Sequence, residues 1–266
     1  MKQSWFIRWF VIASCLLFVT GCAQREHYTP ERGQHGKDVI WMPTPQALVD
    51  AMLDMAQVTP SDYVIDLGSG DGRLVITAAK RGATALGIEY NQDLVKFSIR
   101  AAEKEGVSAK TTFKQADIFE SDFSKATVIT MYLLPDLNLK LRPTILDMKP
   151  GTRIVSNHFD MGEWKPDQTI TTVMEDNSTW RTALLWIVPA KVNGTWQIDN
   201  GQINFIQSFQ NVTGTLTLKG KDMGLTGKLD GDKISFNAQG TEYVGIVSDN
   251  TISGTYGGGN SWKAIR

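Results

Sequence analysis

The sequence predicts an α/β protein in which a doubly wound, seven-stranded sheet precedes a small C-terminal antiparallel β-domain. First, a short apolar run at 63–65 passes through a glycine-rich turn into a helical apolar pattern. Second, strand and helix patterns alternate as far as about residue 189, which is typical of parallel sheets with helices on both faces. Third, short alternating strands separated by Gly, Asp and Asn turns recur from about residue 190, indicating an antiparallel sheet or a small barrel.

Local signals place each element of the α/β part, which we expect to cover residues 41–189. A first helix is predicted to begin with Thr44 as its N-cap and Pro45 as its first residue. Glycines or turn residues end the elements that follow. After the strand at 63–65, these are strand 84–89, helix 92–105, strand 111–115, strand 126–132, helix 136–148, strand 152–157 and a closing hairpin of strands 169–174 and 182–188.

The β-domain is expected over residues 190–266, and its aromatic residues have two interpretations. They are either core residues or a surface that stacks on a glycan or peptide. The residues concerned are Trp196, Tyr243, Tyr256 and Trp262. The chain as a whole carries 27 Lys and Arg against 28 Asp and Glu, so nothing in its charge points to nucleic acid as a partner.

The N-terminus predicts export and a lipid anchor. Lys2 and Arg8 lead into an apolar run that is too short to span a membrane comfortably. The run ends in Gly21-Cys22, which resembles the lipobox of bacterial lipoproteins, in which this cysteine is acylated and becomes the mature N-terminus. We therefore predict a signal peptide over 1–21, lipidation at Cys22 and a flexible tether over 22–40. An uncleaved anchor is the alternative.

The stretch Asp66-Leu67-Gly68-Ser69-Gly70-Asp71-Gly72-Arg73 is expected to bind a nucleotide-like ligand. Its glycines let the backbone approach a ligand closely, and the following helix offers unpaired N–H groups. The third glycine comes one residue too early for a dinucleotide fingerprint, and the Lys-Ser/Thr pair of a phosphate-binding P-loop is absent. The carboxylates of Asp66 and Asp71 suit a cationic ligand better than a pyrophosphate.

An acidic residue followed by G-x-G-x-G resembles motif I of the class I S-adenosylmethionine (SAM) methyltransferases, which implies a Rossmann-like sheet and SAM as cofactor. In that family the acid and the glycine turn hold the methionine end of SAM. Glu89 closes the second strand 23 residues after Asp66, where such folds place an acid for the ribose hydroxyls. Asp117 and Ile118 resemble the adenine site, although an Asp after a strand is also common in turns. The cofactor-binding residues implied are Asp66, Gly68, Ser69, Gly70, Gly72, Glu89, Asp117 and Ile118.

The segment Met131-Tyr132-Leu133-Leu134-Pro135 stands where many amino-methylating relatives have Asn/Asp-Pro-Pro-Tyr, which argues against adenine or glutamine N-methylation. With 43–45 and 66–73, it makes residues 41–165 similar to the bacterial relatives of the mitochondrial lysine methyltransferases that modify the ATP synthase c subunit. The resemblance implies methylation of a protein, with lysine as acceptor, although a small-molecule acceptor stays open.

Methyl transfer from a sulfonium needs orientation and exclusion of water more than covalent help. A lysine acceptor must first lose a proton, and an apolar mouth lowers its pKa. We expect Tyr132, Asp136 and Asn138 to line that mouth as catalytic residues. His158, after the fifth strand, is either a general base or a structural histidine. No metal site is predicted, and with Cys15 inside the signal peptide, no disulfide.

Export and cofactor supply are in conflict, because SAM is made in the cytosol. Either SAM reaches the envelope, or the fold is retained for binding, or translation starts downstream, for example at Met42. The expected location is the cell envelope on the periplasmic face, with the outer membrane as one destination, and a cytoplasmic location follows only from a downstream start. The alternative to an enzyme is a lipid-anchored binding protein that uses its β-domain and keeps a vestigial SAM fold.

Overall fold

The computed structural model of the chain describes residues 28–171 and 182–266. The predicted signal peptide, the lipidation residue Cys22 and the turn of the predicted hairpin at 176–178 lie outside these ranges. In the part of the chain that is described, no helix is long and apolar enough to cross a bilayer.

The α/β domain contains four α-helices, one short 3₁₀ helix (Ser108–Lys110) and seven strands in its described residues. In chain order, the helices and strands are α1 (Gln46–Met55), β1 (Tyr63–Leu67), α2 (Arg73–Lys80), β2 (Thr84–Glu89), α3 (Gln92–Lys104), β3 (Thr111–Gln115), β4 (Val128–Met131), α4 (Pro135–Leu146), β5 (Arg153–Asn157), β6 (Gln168–Thr171) and β7 (Thr182–Ile187).

The seven strands form one sheet with the order β3-β2-β1-β4-β5-β7-β6. The first five are parallel, whereas β7 is antiparallel to β5 and β6 is antiparallel to β7. This arrangement confirms the predicted doubly wound sheet with its closing hairpin. Alternate residues of β1 face opposite sides, so Val64 and Ile65 belong to separate buried clusters, one on each face of the sheet.

Helix α1 covers one face of the sheet with a continuous apolar stripe. Leu48, Val49, Met52 and Leu53 are all fully buried, as their helical spacing predicts. The predicted N-cap is wrong, because the helix begins one residue later with Pro45 as its N-cap. The Thr44 hydroxyl instead accepts a hydrogen bond from the Asn157 side-chain amide at the end of β5 (3.1 Å).

The C-terminal domain is a closed eight-stranded antiparallel barrel, which settles the choice left open between an open sheet and a barrel. Its strands are β8 (Gly194–Ile198), β9 (Gly201–Ser208), β10 (Asn211–Leu218), β11 (Lys221–Asp230), β12 (Lys233–Ala238), β13 (Thr241–Ser248), β14 (Thr251–Tyr256) and β15 (Asn260–Ile265). Pairing of Ala264 and Ile265 on β15 with Ile198 and Gln197 on β8 closes it.

The barrel interior is filled by side chains, so its aromatic residues belong to its core. Trp196 is fully buried and donates its indole N–H to the carbonyl of Val192 (2.7 Å). Tyr243 is 6% exposed and stacks between Phe236 and Tyr256. Tyr256 and Trp262 pack against the same core, which favours the core interpretation of all four predicted aromatic residues.

The barrel contacts the α/β domain at one edge of the sheet. Asp167, just before β6, forms an ion pair with Lys228 (2.8 Å), and the Phe209 ring stacks on Trp164 (6.1 Å between centroids). The backbone N–H of Ala190 donates to the carbonyl of Gly231 (2.8 Å). β6 runs in the same direction as the parallel strands, and Asp167 lies at its amino end. The barrel therefore contacts the sheet at the end opposite to the carboxyl ends of the parallel strands.

Candidate active site

A cleft of about 900 Å³, open solvent at its mouth included, lies at the carboxyl ends of β1, β2 and β4. This is where open α/β sheets place their ligands. Its lining comes from the glycine turn at 68–71, from 89–90 after β2, from 116–118 after β3, from 132–133 after β4, and from the segment 36–44.

The glycine turn forms the floor of this cleft in a backbone conformation that requires glycine. Gly70 and Gly72 have φ angles of 54° and 80°. A Cβ on Gly70 would lie 2.4 Å from Nε1 of Trp41, and one on Gly72 would lie 2.7 Å from the Phe113 ring and 2.8 Å from Ser98. Gly72 is the N-cap of α2 and is not among the residues that line the cleft. Its role is to let the chain pass from the turn into α2.

Asp66, near the end of β1, is a nearly completely buried carboxyl group on the cleft. It is 3% exposed, and its Oδ1 accepts a hydrogen bond from the Thr130 hydroxyl (2.7 Å). Burial raises the pKa of Asp66 to about 7, the charges of Glu89 and Asp71 add to this, and the Thr130 hydroxyl opposes it. A cationic group beside Asp66 would therefore stabilise its ionised form.

Glu89 ties the end of β2 to the glycine turn. One carboxylate oxygen accepts the backbone N–H of Gly70 (2.9 Å), and the other accepts the N–H of Asn91 (2.8 Å). Its side chain also lines the cleft. Because each carboxylate oxygen has further acceptor capacity, Glu89 can still accept hydrogen bonds from a ligand.

Asp117, at the turn after β3, already has two partners. Its Oδ1 accepts the backbone N–H of Phe119 (2.9 Å), and its Oδ2 forms an ion pair with Lys37. The hydrogen bond from Lys37, with that from Phe119, lowers the pKa of Asp117 below its usual value. Lys37 therefore keeps the expected adenine-binding residue ionised. Ile118 lines the cleft beside it.

Of the three predicted mouth residues, one lines the cleft and two do not. Tyr132 lines the cleft, its ring stacks on Phe159 (6.2 Å between centroids), and burial raises its pKa, so the phenol stays neutral. Asp136 is exposed on the first turn of α4, and Asn138 is fully buried. Neither lines the cleft, because α4 turns Leu137 towards it instead.

Asn138 has a structural role that its sequence position does not reveal. Its Nδ2 donates to the carbonyls of Phe159 and Asp160, both at 3.1 Å, and so holds the turn after β5. His158 lies in this turn with a φ of 68°, its backbone N–H donates to Thr182, and it is not among the residues that line the cleft. The cleft geometry gives no support to His158 as a general base.

Residues 66–168 match the ANTKMT methyltransferase domain family. The chain is 39% identical over 153 residues to the protein-lysine N-methyltransferase of Saccharolobus islandicus (strain REY15A), covering 56% of this chain and 94% of that protein. The chain belongs to this methyltransferase family.

Two further relatives show how far the similarity reaches. The crystal structure of an RNA methyltransferase from Salinibacter ruber with S-adenosyl-L-homocysteine is 46% identical, with a TM-score of 0.53, and covers 57% of this chain and 96% of that one. The ATP synthase c-subunit lysine N-methyltransferase of Homo sapiens is 36% identical over 124 residues, 44% of this chain and 53% of that protein. The chain is thus a SAM-dependent methyltransferase, and the family match lies within its α/β domain.

The residues of the cleft fit SAM as cofactor. Ser69 is among the residues that line the cleft, and no hydrogen-bond partner for its buried hydroxyl occurs among the described residues. The carboxyl group of Asp66 suits the ammonium of the methionine end, Glu89 suits the ribose, and Asp117 suits the adenine amino group. The described ranges contain no group of His, Cys, Asp and Glu side chains that could hold a metal ion.

Sequence reasoning missed residues 36–40, which lie within the predicted tether and line this methyltransferase cleft. The position of Trp41 before α1 suits a core or hinge residue or a lid, and in the structure its indole lies on the glycine turn. Arg73 binds both carboxylate oxygens of Asp71 through Nε (3.0 Å each) and the carbonyl of Thr44 through Nη1 (2.7 Å). The contacts of Thr44 with Arg73 and of Trp41 with Gly70 join segments far apart in the chain, so the local pattern contained no signal for them.

Proposed function

We propose that this methyltransferase transfers the methyl group of SAM to a lysine side chain of a protein. The single observation that carries the proposal is the apolar mouth where the cleft meets the end of β4. Tyr132, Leu133 and Leu137, which follow β4, line the cleft together with Met42 and Pro43. The relatives named as lysine methyltransferases agree with this acceptor.

This mouth suits an amine that must arrive neutral. SAM supplies an activated methyl group, so the chain has to orient the acceptor nitrogen and exclude water. An apolar surrounding disfavours the ammonium form of lysine and lowers its pKa. The ring of Tyr132, which lines the cleft, can attract a methylated ammonium product by cation–π interactions.

Methyl transfer with radiolabelled SAM tests the acceptor class. The full-length chain is incubated with membrane protein, soluble protein and RNA from the same organism, each in a separate reaction. We expect label in methyl-lysine after acid hydrolysis of protein. Tyr132→Ala should lower the rate about tenfold or more, the low end of what acceptor positioning contributes, with SAM affinity nearly unchanged. Asp136→Asn, exposed on the first turn of α4 and four residues after Tyr132, is the matched control and should keep full activity.

RNA is the second candidate acceptor, because the similar structure from Salinibacter ruber is named an RNA methyltransferase. Binding of an RNA backbone depends on Lys and Arg that neutralise phosphates. The near balance of charge, and a mouth built from apolar side chains, favour the protein acceptor instead. Label recovered in nucleosides and absent from lysine would overturn the lysine proposal.

We also propose that the enzyme acts in the cell envelope, anchored through Cys22. Support for this location comes from the sequence pattern around Gly21-Cys22 alone. The alternative of a binding protein with a vestigial fold has no support, since Asp66, Glu89 and Asp117 all line the cleft.

A further inference from the structure

Residues 33–41 form a small hairpin over the cleft, here named the flap. The N–H of Gly33 donates to the carbonyl of Trp41, and the N–H of Trp41 donates to the carbonyl of Gln34, both at 2.9 Å. The N–H of Gly36 donates to the carbonyl of Val39 (3.0 Å) and closes the tip. The flap therefore holds its own shape through backbone hydrogen bonds.

The flap covers the part of the cleft that fits adenosine. Its residues 36–40 line the cleft together with Glu89, Tyr90 and Asp117. At its C-terminal end, the Trp41 indole lies against Gly70 of the glycine turn. A bound cofactor would thus have the flap on one side and the sheet edge on the other.

The tip of the flap and its base, the segment at Thr44 that follows it, are held with unequal strength. At its base, Thr44 is 5% exposed, its carbonyl accepts from Arg73 (2.7 Å), and its hydroxyl accepts from Asn157 (3.1 Å). At its tip, Lys37 pairs with Asp117 and lies 5.1 Å above the Tyr90 ring. The Lys37 side chain is 38% exposed, and ion pairs in such surroundings are weak.

We propose that the flap retains bound cofactor over the adenosine part of the cleft, and that Lys37 is its latch to Asp117. The buried contacts at Thr44 keep the base in place while the exposed ion pair at the tip opens and closes. Asp117 can accept the adenine amino group and the Lys37 ammonium together, because a carboxylate has about four acceptor sites. Closing the latch then adds a contact across the bound cofactor and slows its escape.

The dissociation rate of S-adenosylhomocysteine from the full-length chain, measured by stopped-flow fluorescence, tests the latch. Lys37→Met keeps an unbranched side chain, one atom shorter, and removes the ion pair. It should raise the dissociation rate about three- to fivefold and change the association rate less, because an exposed ion pair contributes little more than this. Lys37→Arg should stay close to the wild-type rate. Lys80→Met is the matched control: it removes an exposed ion pair with Glu105, away from the cleft, and should change nothing.

Salt and a double variant separate a latch from a general effect on folding. Rising ionic strength should speed dissociation from the wild-type chain and leave Lys37→Met unaffected. Adding Lys37→Met to Asp117→Asn should not speed dissociation further, since the partner is already lost. Equal dissociation rates for Lys37→Met and Lys80→Met, or a loss of affinity confined to association, would overturn the proposal. The test measures ligand binding at the SAM site and needs no methyl acceptor. Its outcome therefore does not depend on whether lysine is the acceptor.

Discussion

A carboxyl group whose pKa lies near 7 couples cofactor binding to pH at the level of one residue. In the free protein, the carboxyl of Asp66 is protonated below its pKa of about 7. The ammonium of SAM favours the ionised form, so binding below pH 7 must release this proton. We expect the dissociation constant for SAM to rise about tenfold for each pH unit between pH 7 and pH 5, and to level off above pH 7.

Calorimetry at several pH values, in buffers of different ionisation enthalpy, measures both the affinity and the released proton. Asp66→Asn is the control, because it keeps the side-chain shape and cannot ionise. The variant should bind SAM weakly with no pH dependence between pH 5 and pH 7. A wild-type affinity that stays constant over the same range would show that Asp66 does not meet the cationic group.

Glu89 accepts hydrogen bonds from the backbone of the glycine turn and also lines the cleft. Its removal should therefore weaken SAM binding by about 1.5–3 kcal/mol, or roughly 10- to 150-fold. Calorimetry with Glu89→Ala measures this loss. Glu89→Gln is expected to weaken binding too, because its NH₂ group would face one of the two backbone N–H groups that Glu89 now accepts. Glu105→Ala, an exposed acid on the surface, is the control. An affinity for Glu89→Ala within threefold of wild type would contradict the ribose assignment.

At the scale of elements, the strand–turn–helix unit depends on Gly72 for both its φ and its space. Gly72→Ala combines left-handed strain with contacts of 2.7–2.8 Å to Phe113 and Ser98. We expect it to lower the free energy of unfolding by about 2–5 kcal/mol. Gly106→Ala is the matched control, since its φ is 70° but nothing lies within 4 Å of the added Cβ. It should cost only about 1–2 kcal/mol. Urea denaturation measures both, and equal costs would argue against crowding at Gly72.

The elements that the sequence predicts best are those whose ends carry local signals. Strands β2 (Thr84–Glu89) and β3 (Thr111–Gln115) have the predicted bounds, because turn residues follow each of them directly. The faces of α4 were harder, since a shift of one residue moves a side chain by about 100° around a helix. Leu137 therefore meets the cleft where Asp136 was expected.

Contacts between distant segments could not be predicted from local patterns. Lys37 and Asp117 are 80 residues apart, and the flap has no apolar periodicity that would mark it as part of the site. Closure of the barrel depends likewise on the pairing of β15 with β8, at opposite ends of its sequence. Alternating strands predict the antiparallel pattern, but an open sheet and a closed barrel share it.

At the scale of the whole molecule, the barrel and the cleft lie at opposite ends of the strands of the sheet. Asp167 and Lys228 join the domains at the amino end of β6, whereas the cleft opens at the carboxyl ends of β1, β2 and β4. The barrel therefore leaves the mouth at Tyr132 accessible to a large acceptor. Its core is filled by its own side chains, and no barrel residue is among those that line the cleft.

The proposed anchor would place this mouth close to a membrane. Six residue steps separate Cys22 from Tyr28, the first described residue, and six steps span at most about 20 Å. The flap begins only five residues later, at Gly33. An acylated Cys22 would thus hold the flap and cleft near the bilayer surface, where acceptor lysines on membrane proteins are within reach.

Cys22→Ser tests the anchor and the cofactor supply together. A lipobox cysteine is acylated on its thiol and new amine, and more than one acyl chain is needed for stable anchoring. We expect the wild-type chain to incorporate labelled palmitate and the Cys22→Ser chain to incorporate none. The variant should remain an unprocessed precursor that still binds SAM, because the α/β core begins beyond Trp41. Equal labelling of both chains, or a cytosolic wild-type chain that starts at Met42, would overturn the anchor. The second result would also remove the conflict with cytosolic SAM, but it would delete the whole flap, and cofactor retention by Lys37 would be lost with it.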